Sequence, residues 1–349
     1  MILPQSYSAV MFLMILSLVC LGSWASAFKF AGKWRFELFY FDFAIGLLVA
    51  SVIYAFTVGN IGFDGFNFLD DLQHAGKRQW MFGFLGGIVF NLGNMLLMAA
   101  VSVAGLAIAF PMTMGIALLV GILIGLAGRP AGNLMMLELG CALVLASVVV
   151  NALLYRMRAV AEHEVLARAG RAKSTRRPSA IKAIILSLVA GILIGSFAPL
   201  LDRARAGDLG LGPYAATAVF AFGVFFSSLV FNIFFMNLPV EGEPVDFGAY
   251  FSGRLKQHLL GGSAGVMWLT GVLALMVAGS VPDLVQVPAL ERYLLSQGAP
   301  VLTALWGIVV FREFKDGDVR VKVLGVLMLV LLLCGMVMIG LAPQYMRAV

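Results

Sequence analysis

From residue 81 to residue 128 the chain runs through 48 consecutive positions without a charged side chain. One helix crosses a hydrocarbon core of roughly 30 Å with about 20 apolar residues, so this stretch holds two helices and takes the bilayer as its solvent. Lipid offers no hydrogen-bond partner to a bare amide, which leaves the helix as the conformation for each such run. The same pattern along the chain predicts ten spans, at 7–28, 38–58, 80–101, 105–126, 134–154, 181–201, 214–237, 258–279, 293–311 and 321–341. Only 12% of the residues are charged, about half the share in a soluble domain. The spans and short loops nearly fill the 349 residues, leaving no room for a separate soluble domain of about 50 residues. The expected fold is all-α and integral to the membrane.

The ten spans divide into two sets of five. Residues 1–154 form the first repeat, 155–180 a basic linker and 181–349 the second. A copy that starts where an odd number of crossings ended enters from the opposite side, so the expectation is a 5+5 inverted repeat, an arrangement typical of secondary transporters. Small motifs recur with it. Gly22-Ser23-Trp24 matches Gly195-Ser196-Phe197 at an offset of 173, and Leu85-Gly86-Gly87 matches Leu260-Gly261-Gly262 at 175. The third and eighth spans each carry a GxxxG, Gly83 with Gly87 and Gly261 with Gly265, which lets helix backbones approach closely. Pro111 and Pro300 lie in the fourth and ninth spans. A proline inside a helix frees a carbonyl and bends the chain, so this pair marks either helix breaks beside a central cavity or two packing kinks.

Lysine and arginine set the orientation. The 155–180 loop holds Arg156, Arg158, Arg168, Arg171, Lys173, Arg176 and Arg177, and its side collects 17 basic residues against seven on the other. The positive-inside rule puts that loop in the cytoplasm and both termini outside. Topology thus accounts for the net charge of +6 without a nucleic-acid partner. Residues 9–21 resemble a signal-peptide core before Ala25-Ser26-Ala27, but no basic n-region precedes them and the sixth span repeats the segment internally, so it reads as a retained helix. Cys20, Cys141 and Cys334 all fall inside spans and suggest buried thiols rather than disulfides.

Catalytic patterns are missing. His163-Glu164 lacks the paired histidines of a zinc helix, and the run from Gly170 to Ser174 only faintly matches a phosphate loop, with Ala172 inside it and Ala167 before it where that pattern needs glycines. No cofactor or metal is implied, and an enzyme would need a nucleophile or paired acids that the spans do not supply.

The run from Leu211 to Gly271, with LGPYAATAVFAFGVFF, NIFFMNLPVEGEP, FGAYFSGRLKQHLLGG and MWLTG, resembles the ureide permeases and their bacterial relatives. TALWGIVVFREF, from Thr303 to Phe314, is similar to the end of a drug/metabolite transporter half, with glucose and rhamnose transporters as neighbouring groups. The resemblance implies a ten-helix permease of a bacterial inner membrane, a symport protein taking up a ureide, nucleobase or sugar with protons. Its partners are then a small-molecule substrate, H+ and the lipid bilayer, with a homodimer left open. Plant ureide permeases carry a phosphate-loop-like sequence in the central loop, from which this chain departs at the two alanines. Export of amphipathic drugs or metabolites is the alternative within transport, kept open by 27 phenylalanines and 18 methionines. A non-transporting scaffold is the alternative outside it.

Polar groups within spans supply the site candidates, because a central carboxylate costs about 2.5 to 3.5 kcal/mol on insertion scales and so faces the bundle or water. Asp42, flanked by Tyr40, Phe41 and Phe43, is the candidate for proton coupling, or else an interfacial carboxylate paired with Lys33 or Arg35. Asn91 and Asn94 share one helix face and could meet a substrate or a neighbouring helix, as could Asn232 beside Ser227 and Ser228. Trp24, Trp268 and Trp306 lie inside spans, where a ring can stack on a planar ligand or simply pack. Trp34 and Trp80 sit at the depth of an aromatic belt, while Glu138, His258 and Glu313 lie near span ends, where a structural role is expected.

Overall fold

A computed structural model describes residues 1–62, 64–128, 132–168, 181–240, 242–281, 287–315 and 317–345. The basic residues Arg129, Arg171, Lys173, Arg176, Arg177 and Arg347, and the run from Gly170 to Ser174, lie outside the described residues. Among the described residues every element is helical. They are α1 (Tyr7–Ser23), α2 (Ser26–Phe30), α3 (Phe36–Phe56), α4 (Phe68–His74), α5 (Lys77–Ala104), α6 (Leu106–Gly128) and α7 (Leu134–Arg168). Then come α8 (Ile181–Arg205), α9 (Pro213–Asn237), α10 (Gly248–Phe251), α11 (Leu255–Ala278), α12 (Ala289–Gln297), α13 (Ala299–Leu305) and α14 (Val319–Leu341).

Eight helices, α3, α5 to α9, α11 and α14, are long and apolar enough to cross a membrane. The pair α12 and α13, continued by a π-helical turn at Trp306–Val310, passes as a ninth and is bent by 46°. The apolar α1 has 17 residues. Its expected continuation to residue 28 is broken after Ser23, where hydroxyls take carbonyls of the last turn: Thr303 Oγ1 donates to Gly22 O at 2.8 Å and Ser26 Oγ to Ser23 O at 2.6 Å. Side-chain bonds of this kind compete with the helical ladder and let a helix turn aside. The prolines do not act as the expected pair of breaks. α6 runs on through Pro111, whereas the bend in the ninth segment comes at Gly298, with Pro300 in the first turn of α13, a place where its missing N–H was never needed.

Packing pairs up across the two halves. α5 packs on α8 as α1 packs on α11; α6 on α8 as α13 on α1; α5 on α9 as α11 on α3; and α6 on α7 as α12 on α14. Glycines make two of these contacts into backbone seams. A Cβ on Gly87 would lie 2.2 Å from Phe220 O, and one on Gly265 would lie 2.0 Å from Phe43 O. On the facing helices Gly223 meets Phe84 O and Gly46 meets Gly262 O, at 2.3 and 2.1 Å. Gly83 stands against Val219 and Gly261 against Asp42. The matching position in each seam therefore follows the GxxxG pairs, offset by 178. The Leu-Gly-Gly tripeptides are three residues out of this register: Gly87 makes a seam, and Gly262 has open space beside it.

α7 and α14 pack together away from these seams: a Cβ on Gly140 or on Gly335 would lie 2.9 Å from the other's carbonyl oxygen, and Ser147 Oγ donates to Met328 O at 2.8 Å. The 35 residues of α7 extend for about 52 Å. Polar contacts between loops gather into two groups. One gathers Met1, whose amino group donates to Asp64 O, and Asp71, which accepts from Gly212 N–H at 2.9 Å. The other gathers Lys29 with Glu313, and Arg35 with Glu37.

Candidate functional site

A cavity of about 470 Å³ opens between α1, α5, α6, α8, α11 and the bent α12–α13 pair. Its floor is aromatic, formed by Trp24, Phe90, Phe110 and Trp268. Trp268 and Phe90 hold matching places, each three residues beyond the glycine that sets its seam, and their rings meet at 4.1 Å with 32° between planes. α5 is seamed to α9 and α11 to α3, and the two rings meet where these pairs of helices face the cavity. Phe220 stacks behind Trp268 at 5.5 Å, and Trp24 lies 6.2 Å from Phe110. Toward the mouth the walls turn polar, with Asp202 and Arg205 on α8 across from Tyr293, Ser296 and Gln297 on α12. Arg205 is held by Ser280 Oγ at 2.7 Å. Flat faces below and a few donors and acceptors above suit a planar solute with a polar edge.

Of the expected aromatic candidates, Trp24 and Trp268 line this cavity. Trp306 does not; its Nε1 donates to Ser23 Oγ at 3.0 Å, and its ring meets Phe30 edge-on. The asparagines also lie elsewhere. Asn91 Nδ2 donates to Ser227 Oγ at 2.8 Å and Asn91 Oδ1 accepts from Ser228 Oγ at 3.2 Å, stapling α5 to α9. Asn94 Nδ2 donates to Tyr40 OH at 3.1 Å. Asn94 Oδ1 and both polar atoms of fully buried Asn232 have no partner, so this region holds unmet hydrogen-bonding capacity.

Asp42 pairs with neither Lys33 nor Arg35. His258 Nδ1 lies 2.9 Å from its Oδ2, and Tyr250 OH donates to its Oδ1 at 2.5 Å. Burial, and then the neighbouring Asp42 carboxylate, push the Tyr250 hydroxyl above its ordinary range, which keeps it a donor. Trp34, expected in an aromatic belt, is buried edge-on against His258 at 5.5 Å. Exposed Trp80 has belt character, its Nε1 reaching Leu72 O. The three cysteines are free, and among the described residues no cluster of metal-binding side chains occurs.

Sequence reasoning missed Phe90, Phe110, Asp202 and Arg205. The GxxxG register, extended by three residues to Phe90 and Trp268, carried the signal for the first. The other three come together only through the pairing of distant helices.

The ureide permease family model matches residues 39–182. Ureide permease 1 of Arabidopsis thaliana is 24% identical over 95% of this chain and 96% of its own length. Ureide permease 2 of the same plant is 25% identical over 90% and 92%. The chain is thus similar to the ureide permeases along most of its length. Ureide permease 3 is 32% identical over a shorter stretch, 31% of this chain and 32% of its own. One crystal structure shares the fold, with a TM-score of 0.50 over 97% of this chain and 99% of its own at 15% identity. With these relatives and its long apolar helices, the chain is a multi-pass integral membrane protein, a transporter and not an enzyme. The matched family segment lies mainly in the first half, complementing the motifs that resemble the family in the second.

Proposed function

We propose that the protein is a secondary transporter that takes up a small, planar, polar solute of the ureide, nucleobase or sugar class by alternating access. The carrying observation is the cavity of about 470 Å³ with paired aromatic faces below and polar groups at its mouth, in a chain related to ureide permeases along most of its length. Its size matches a small-molecule site. The reading includes ten spans in a 5+5 inverted repeat, supported by the contacts that pair up between halves and by the GxxxG register. Exchanging the halves maps the six cavity-lining segments onto themselves, as a carrier that opens first to one side and then to the other requires. Trp24 and Trp268 cover the solute faces in this scheme. Asn91, Asn94 and Asn232 shape the inner half of the path, and Asp42 with His258 carries the coupling proton. The bacterial inner membrane, outward termini and placement in the drug/metabolite transporter superfamily belong to the same proposal.

The apolar walls, including Met114, Leu118 and Ile122, favour export of amphipathic compounds as the second reading. A thermal-shift screen of purified protein against ureides, nucleobases, sugars and drugs separates them, followed by uptake of the best stabiliser into proteoliposomes under an imposed pH gradient. Stabilisation by drugs alone would overturn uptake of a polar solute.

A further inference from the structure

We propose that Lys29 and Glu313 form the inner gate of the transport path, and that Trp24 and Phe110 connect it to the floor of the cavity. Glu313 is almost wholly buried, and its two carboxylate oxygens accept the N–H groups of Leu106 at 3.0 Å and Ala107 at 2.9 Å. These are the first amides of α6, an electropositive helix end that holds a carboxylate well. Lys29 Nζ closes the cluster 3.0 Å from Glu313 Oε1. Gly105, at φ 88°, makes room for it: a Cβ there would lie 2.6 Å from the carboxylate.

Three segments meet at this point. α2 brings Lys29 and is joined to α1 at the break after Ser23; α6 brings its N-terminus; Glu313 follows the π turn of the ninth segment. Each of the first two also carries a floor residue. Trp24 stands in the α1–α2 break, and Phe110 lies one turn beyond Leu106. Displacing α2 from α6 would therefore break the Lys29–Glu313 contact and draw the two rings apart, opening the cavity at its closed end. The hydrogen bonds from Thr303 to Gly22 O and from Trp306 to Ser23 Oγ fix the break to the ninth segment. They make the break a hinge rather than a loose joint. A ligand pressed on Trp24 and Phe110 would thus act on the gate through one helical turn.

This gate rests on the alternating-access reading of the same cavity, and one experiment separates the two. In a background lacking Cys20, Cys141 and Cys334, single cysteines are placed at Ala198, in the cavity wall, and at Ala27, buried on α2. Both are labelled with a membrane-impermeant maleimide in sealed vesicles of each orientation. Failure of Ala198→Cys to react from the outer side in the parent would refute the outward-open cavity itself. Given that reaction, Lys29→Met and Glu313→Gln should each raise labelling of Ala27→Cys from the inner side on the order of tenfold by shifting the population toward the inward-open form, and lower labelling of Ala198→Cys from outside. Lys29→Met leaves Glu313 in place on α6 and decides the matter if Glu313→Gln does not fold. An inner labelling rate equal to the parent's in Lys29→Met overturns the gate.

Discussion

Replacing Gly265 with alanine tests the backbone seam that places Trp268. The added methyl would sit 2.0 Å from Phe43 O and 2.6 Å from Leu47 N, whereas Cβ atoms stay beyond 3.0 Å. Backbone atoms cannot turn away as a side chain can, so α3 and α11 must separate by about an ångström or bend locally. Overpacking of this kind costs about 1 to 3 kcal/mol, and a contact with the main chain belongs at the upper end. With about 2 to 4 °C lost per kcal/mol in large domains, the melting temperature should fall by roughly 5 to 10 °C. The assay is thermal unfolding of purified protein in detergent. Gly87→Ala, 2.2 Å from Phe220 O, should behave alike on the other seam. Gly262→Ala, with nothing within 4 Å, should move the midpoint by less than about 2 °C, as a surface substitution does. Combining Gly46→Ala with Gly265→Ala should cost less than the two singly, because one separation relieves both clashes. Should Gly265→Ala melt within about 2 °C of the parent, or Gly262→Ala fall as far as Gly265→Ala, the seam and its register would be wrong.

Other outcomes follow from the proposed site. Asp42→Asn should abolish solute accumulation driven by a proton gradient while downhill exchange continues, and accumulation with the parental pH dependence would show Asp42 to be structural. Trp268→Ala should raise the KM for the transported solute by roughly tenfold, in line with about 1 to 1.5 kcal/mol for an aromatic pair; an unchanged KM in flux measurements would remove the ring from the path. A reporter active only in the cytoplasm, fused to the C-terminus, should stay silent, and a strong signal would reverse the orientation.

Most of the helices were legible because hydropathy is a local property and lipid leaves each apolar run no other conformation. The break at Trp24 was not, since it depends on hydroxyl and indole donors from Thr303 and Trp306, some 280 residues away in sequence. Asp42 was recognisable as a charge needing a partner. Its partner was sought among nearby basic residues and came instead from His258, 216 residues distant. The asparagines could be placed on one face of α5, but sequence does not say which neighbour that face meets, and it meets α9 and Tyr40 rather than the cavity. In a chain with 39 glycines, a tripeptide match can slip by a turn. A pair spaced for close approach fixes the register better, because it states a packing requirement.

The length of α7 has a practical consequence. A continuous helix of about 52 Å exceeds the roughly 30 Å hydrocarbon core and ends at Arg168, so it projects beyond the bilayer as a rigid rod. Packed against α14 and outside the cavity wall, it can bear a load without touching the solute's route. A small helical protein spliced in phase onto that rod would give a particle of this size a feature for image alignment in electron microscopy, leaving the cavity-lining helices unmodified.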